Sequence, residues 1–198
     1  FVGTDGGVPR KFYLQALQLV ESDPEIAFLN LVTAGEVLSG GFSFNDEELF
    51  DETTRNVLET IKREAGEKIH SAIKGKLYQV RRKFRLTLQR LLNEPFYAGS
   101  ESIYPFAALK QDDLESRLNA AYDLRSRYVH TGARFGGWIQ PDCSSFADLM
   151  FGEPVAEPAD WKKILSMTPT FIGLERILRY SLLRFIHLNI VPVDERLN

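Results

Sequence analysis

The chain has 198 residues, 44% hydrophobic, 26% charged and 12% aromatic, with 24 basic against 27 acidic side chains and a formal net charge of −3. That length fits one domain, or two small ones, with a real core, and the composition is that of an ordinary globular chain rather than a disordered one. The longest charge-free run, Ile164 to Leu174, is too short to span a bilayer as a helix. No membrane partner is therefore expected, and a net charge of −3 gives no overall pull toward nucleic acid.

The opening Phe1-Val-Gly-Thr-Asp-Gly-Gly reads as a loose lead-in over residues 1–9. Because the chain starts at Phe1, a preceding domain or a regulatory protein is an expected partner. The folded unit is expected over residues 10–190, with a short tail over 191–198. A first helix is predicted from Lys11 to about Val20. Ser22-Asp23-Pro24-Glu25 opens a second, with Asp23 as N-cap and Pro24 in the first turn. That helix runs to Leu38, is apolar on most sides and belongs in the core. Gly40-Gly41 ends it.

Asn45 or Asp46 begins a third helical region. A long helix is predicted from about Glu67 toward Leu92, with Ile69, Ile73, Leu77, Val80, Phe84, Leu88 and Leu91 forming one amphipathic stripe. Asn93-Glu94-Pro95 stops it. An aromatic loop (Phe96, Tyr97, Tyr104, Phe106) leads to a helix from about Gln111 to His130, which Gly132, Gly136 and Gly137 break. Residues 132–160 read as irregular. The last helix, Pro169 to Leu188, is apolar on most sides, as in the middle of a bundle or under an interface. The fold class is all-α, a single helical bundle.

Within Tyr122-Asp-Leu-Arg-Ser-Arg-Tyr-Val-His130-Thr-Gly132, helical geometry places an arginine on an apolar face. With Leu114 as zero, Leu118, Ala121 and Tyr128 fall close by, Tyr122 and Val129 flank them, and Arg125 sits at about 20°. A buried guanidinium needs a carboxylate, a carbonyl cluster or an anionic ligand. Glu36, on the apolar second helix, is a candidate carboxylate. His130 lies five residues on, about 140° further around the axis. The two side chains converge only if the helix ends near His130 or a second subunit completes the site. A histidine beside a fixed cation suits phosphodiester cleavage, one moving a proton and the other stabilising the charged phosphorane. The alternative is that Arg125 pairs with a core carboxylate and His130 is an ordinary helix-end residue.

Lys74 to Arg90 holds seven basic residues (Lys74, Lys76, Arg81, Arg82, Lys83, Arg85, Arg90) and no acid. Setting it aside leaves 17 basic against 27 acidic residues, so the near-neutral total hides a polarised chain. The segment reads either as a phosphate-binding rail, with Tyr78 for stacking, or as a solvated face paired with acids elsewhere. Cys143, His70, His130 and His187 lack paired ligand spacing, so no metal and no cofactor are expected. The lone cysteine suits a reducing, cytoplasmic compartment. No nucleophile signature surrounds Cys143, which is expected to be a small packing residue rather than a partner of His130. Trp138 and Trp161 read as core or interface aromatics, and His70 and His187 as packing or surface residues.

Leu124-Arg-Ser-Arg-Tyr-Val-His130, on the penultimate long helix of an all-α frame, resembles the Arg-x4-6-His motif of the HEPN superfamily, most closely its Apea-like branch. The early helix with Ala34-Gly35-Glu36-Val37-Leu38, the His130-Thr-Gly132 end and the terminal Leu174-Glu-Arg-Ile-Leu-Arg-Tyr-Ser-Leu-Leu-Arg184 agree. The resemblance covers residues 10 to 190. It implies a dimeric bundle whose two motifs meet in a cleft. It further implies a metal-independent endoribonuclease leaving a cyclic phosphate, in defence or toxin–antitoxin systems. The other activity in that family is a non-catalytic RNA-binding or protein-interaction module. Arg125 and His130 carry over as catalytic residues. Arg127, Lys74, Arg81, Arg82 and Arg85 would bind RNA, with Glu36 supporting the motif. Ser126 stands where active members often carry a larger polar residue. Gly132 occupies the place of the tyrosine that a related subgroup nucleotidylates, so that regulation is not implied.

Overall fold

A computed structural model describes residues 7–77, 79–140 and 146–190. Among these, eleven α-helices are found and no strand; the one extended contact is an isolated bridge between Leu149 and Pro169. In chain order they are α1 (Gly7–Leu19), α2 (Pro24–Ser39), α3 (Asp46–Leu49), α4 (Glu52–Ala65), α5 (Glu67–Lys74) and α6 (Val80–Leu91). After these come α7 (Glu94–Ala98), a 3-10 turn (Pro105–Ala107), α8 (Leu114–Thr131), α9 (Gly136–Ile139), α10 (Ala159–Met167) and α11 (Phe171–Ile190). The chain is an all-α helical bundle. No helix among the described residues is long and apolar enough to cross a membrane.

Short polar residues set the helix starts. Asp23 Oδ1 accepts from the Ile26 N–H at 3.1 Å at the head of α2, with Pro24 following. Asn45 and Glu48 form a reciprocal capping box on α3, at 2.9 and 3.0 Å. Asp51 accepts from the Thr54 N–H at 2.7 Å on α4. Each satisfies helix-end N–H groups that have no partner within the helix. At the other end, Gly132 closes α8 with φ 68°, donating to Tyr128 O at 2.8 Å.

α2 lies at the centre, packed against α1, α6, α8 and α11. Its buried Ala27, Phe28, Leu31, Val32, Ala34 and Leu38 meet Phe84 and Leu88 of α6. Leu118, Ala121 and Leu124 of α8 and Leu174, Ile177 and Leu178 of α11 complete the core. Trp161 joins this core, and Trp138 packs against it while donating from Nε1 to Leu165 O at 2.8 Å.

Three expectations are revised. The first helix starts at Gly7, four residues before Lys11. The long helix over Glu67–Leu92 is two helices, α5 and α6. Gly75, a poor helix former, caps α5, and Lys76 and Leu77 donate three residues back to Ile73 O and Lys74 O instead of continuing the ladder. The stripe divides with the helix: Phe84, Leu88 and Leu91 are buried, whereas Ile69, Ile73, Leu77 and Val80 are exposed. α10 adds a helix that the sequence pattern does not signal. His70 is buried against α5's own Glu67, with Nδ1 at 3.4 Å from Oε1, and His187 is exposed.

Beneath the aromatic loop sits a buried polar node. Asp148 is fully buried and Arg176 is 3% exposed. Arg176 Nε and Nη2 donate to Asp148 Oδ1 and Oδ2 at 2.9 and 2.6 Å. Arg176 Nη1 donates to Phe96 O at 3.0 Å, and the Leu109 N–H donates to Asp148 Oδ2 at 2.9 Å. Thr170 Oγ1 donates to Ala147 O at 2.6 Å, and Leu149 N–H to Ala107 O at 3.0 Å. Together these tie α7, the 3-10 turn, residues 146–149 and α11 into one unit.

Burial raises the pKa of three phenols, Tyr13, Tyr97 and Tyr122; Tyr13 also donates to the Glu175 carboxylate, which pushes it further up. The folded state therefore favours the neutral phenol. The stabilisation is complete below pH about 10, the unfolded phenol value, and is lost as pH rises through the higher folded values. A phenolate absorbance titration should show late-ionising tyrosines whose deprotonation accompanies loss of the helical signal, and Tyr13→Phe should remove one late proton. A single step at pH about 10 with the helices intact would contradict this.

Candidate functional site

α8 carries the Arg-His segment, and the core anchors only its first three turns. Its buried residues end at Leu124; Arg125 to Tyr128 are half-buried, and Val129, His130 and Thr131 are exposed. Val129 therefore does not flank the buried face. The core facing α8 stops short of the last turn, and Gly132 turns the chain away there.

Arg125 is half-buried and faces α2. Its Nη2 donates to Oε2 of Glu36, the candidate carboxylate on α2, at 3.4 Å. Its guanidinium lies 6.0 Å from the centre of the Tyr122 ring. Burial and the neighbouring Glu36 carboxylate raise the Tyr122 phenol, while Arg125 opposes them. Arg81 Nη2 on α6 donates to Asp123 Oδ2 at 2.8 Å. Burial pushes the Asp123 carboxyl above its usual value, with Arg81 opposing. Glu36, Tyr122 and Arg125 thus form one half-buried polar cluster where α2 and α8 meet, while the Arg81–Asp123 pair, with Arg81 exposed, links α6 to another side of α8.

His130 stands apart from that cluster. It is exposed in the last turn, and its imidazole makes no hydrogen bond or ion pair among the described residues. Since α8 remains helical through Thr131, Arg125 and His130 of one chain stay about 140° apart around the axis. The helix ends near His130, but not early enough to fold the imidazole back onto Arg125.

The basic segment is largely committed to ion pairs. Lys74 Nζ donates to Asp46 at 2.5 Å, Arg81 to Asp123, Arg85 to Glu115 and Arg90 to Glu48. Arg82 is half-buried near Asp51, whose carboxyl it helps to lower. Lys76 is exposed, Lys83 is half-buried, and neither has an ion-pair partner among the described residues. Arg127 Nη1 donates to Asp160 Oδ2 on α10 at 2.6 Å and lies 4.9 Å from the Trp161 ring centre. That hydrogen bond holds the Asp160 carboxyl below the usual range. Tyr78 and Cys143 lie outside the described residues.

No family model, curated protein or solved structure matches this chain. The site is therefore argued from its own geometry. Among the described residues, no group of three or more His, Cys, Asp or Glu side chains could hold a metal ion.

Two features of the site region were not anticipated. The Arg81–Asp123 pair joins α6 to α8, and only the packing of the two helices shows it. Glu25, 3% exposed, accepts from the Phe135 and Gly136 N–H groups at 2.5 and 2.9 Å and from Arg134 Nε at 3.2 Å. It fixes the chain just after His130-Thr-Gly132. A carboxylate in the first turn of an otherwise apolar helix was the available signal.

Proposed function

We propose that the chain is a HEPN-type endoribonuclease that works as a dimer without a metal. The observation that carries this reading is the division of labour along α8. Arg125 is held by Glu36 in a half-buried cluster, while His130 is presented to solvent with no partner among the described residues. Such a histidine is free to exchange a proton, and such an arginine is positioned as a fixed cation.

In the proposed reaction the ribose 2′-oxygen attacks the adjacent phosphorus and the bond from phosphorus to the 5′-oxygen breaks. A 2′,3′-cyclic phosphate and a 5′-hydroxyl result. A neutral His130 takes the 2′-hydroxyl proton, and a protonated His130 of a second copy gives one to the leaving oxygen. Arg125 stabilises the phosphorane charge. The separation of Arg125 from His130 within one chain calls for two copies, and two imidazoles let one act as base while the other acts as acid.

The test is RNA cleavage with EDTA present. Wild type should yield cyclic-phosphate ends, and His130→Ala should lose roughly a hundredfold or more in rate. Equal cleavage by both proteins would remove His130 from the mechanism. No cleavage by either, across varied RNAs, would favour the second reading, a non-catalytic RNA-binding or protein-interaction module. That second reading draws on a specific observation: Lys74, Arg81, Arg85 and Arg127 are already paired with carboxylates, which leaves less free charge for phosphates.

A further inference from the structure

Three aromatic rings stand together on the surface, well away in sequence from the Arg-His segment. Tyr104 and Phe106 stack with ring centres 5.5 Å apart. Phe151 closes the group, 5.4 Å from Tyr104 and 5.0 Å from Phe106. Phe106 is 68% exposed, and neighbouring Ile103 is 58% exposed. Even clustered, the group leaves Tyr104 43% and Phe151 42% exposed, and contiguous exposed apolar surface of this kind marks interaction sites.

The platform is mounted rigidly. Ala107, next to Phe106, is buried and accepts from the Leu149 N–H at 3.0 Å. Leu109 donates to buried Asp148, so the loops carrying Tyr104, Phe106 and Phe151 are clipped to the Arg176–Asp148 node. A ligand meeting these rings does not have to order them first, which lowers the cost of binding.

Charge selects the partner. Apart from buried Asp148, residues 99–113 and 146–160 carry six carboxylates and one amine, Lys110. Four of the six are paired with cations from neighbouring helices: Glu101 with Arg179, Asp113 with Arg117, Glu153 with Lys162 and Asp160 with Arg127. Asp112 and Glu157 have no ion-pair partner among the described residues. Glu153, two residues from Phe151, keeps 79% of its side chain exposed. Phosphate groups meet no free cation here except Lys110, whereas a guanidinium finds ring faces and a carboxylate.

We propose that Tyr104, Phe106 and Phe151 form a docking platform for an arginine-bearing segment of a partner protein, with the guanidinium over the rings and Glu153, whose pair with Lys162 is an exposed and weak surface ion pair, turning to it as counter-charge. The probe is a blocked tripeptide of two arginines flanking a leucine, followed by amide chemical shifts. Shifts should concentrate in residues 103–107 and 151–155. Replacing the arginines with citrulline, which keeps the shape and removes the charge, should abolish them. Phe106→Ala should weaken binding about fivefold, equivalent to ~1 kcal/mol. Because Phe106 is exposed, this truncation leaves the core intact, and the citrulline comparison on wild-type protein decides the question independently. The proposal is overturned if the arginine peptide moves no signals in these loops or if the citrulline peptide binds equally. It is also overturned if oligouridylate saturates the same residues at lower concentration, which would make the platform a base-stacking site.

Discussion

Alanine in place of Asp148 should lower the unfolding free energy by about 3–5 kcal/mol, measured by urea denaturation. The carboxylate is fully buried and both its oxygens accept from Arg176, one of them also from the Leu109 N–H. Removing it leaves the Arg176 guanidinium buried with only Phe96 O as an acceptor and the Phe96 ring beneath it, 4.0 Å from its carbon centre. The cost lies in stranding that cation rather than in the pair's net worth. Asp148→Leu combined with Arg176→Met should therefore recover most of the loss, since neither charge then remains buried. A loss below about 1 kcal/mol for Asp148→Ala would show that water reaches the node and that it does not hold the loops. The same substitution should loosen residues 105–109, so the aromatic platform and overall stability are linked through Asp148.

This node also shows why some of the molecule was legible in sequence and some was not. Asp23-Pro24 and Gly132 act within one turn, so α2's start and α8's end could be read locally. Arg125 falls on the apolar face because it repeats the helical period of Leu114, Leu118 and Ala121, and Glu36 is one candidate carboxylate for it on an apolar helix. Asp148 and Arg176 give no such sign: one lies in an irregular stretch, the other on a helix 28 residues later. The stripe through Ile69, Ile73 and Leu77 is a real pattern in the sequence, but it does not continue into one helix with Phe84 and Leu88. Periodicity states that a face exists; it does not state that anything covers it. The basic segment was legible as charge, yet its ion pairs with Asp46, Glu48, Glu115 and Asp123 depend on helices meeting in space.

Gly35→Val should destabilise the chain by about 3 kcal/mol and should also disturb the Arg125 cluster. A Cβ on Gly35 would lie 2.5 and 2.8 Å from Cε2 and Cδ2 of Phe84 and 3.5 Å from Leu178 Cδ1. The Phe84 ring is fully buried and packs 5.9 Å from the Tyr122 ring, so it has no open space to enter. Either α2 and α6 separate or the ring is driven toward Tyr122. Glu36 is the next residue on α2, and both routes shift it relative to Arg125 and Tyr122. Unlike alanine, valine brings no large gain in helix propensity over glycine to offset the clash. Phe84→Ala alone should cost about 3–5 kcal/mol by leaving a cavity. In the double variant the valine methyls enter that space, so the combined loss should fall short of the sum of the single losses by at least about 1 kcal/mol. Strict additivity would mean that the two side chains do not compete for one volume. The functional counterpart is a second coupling: in the Gly35→Val background, Arg125→Ala should cost less stability than in wild type, because the Glu36 contact is already displaced. If Arg125→Ala costs the same in both, Gly35 fixes only the spacing of α2 and α6, and Glu36 is held against Arg125 by other contacts.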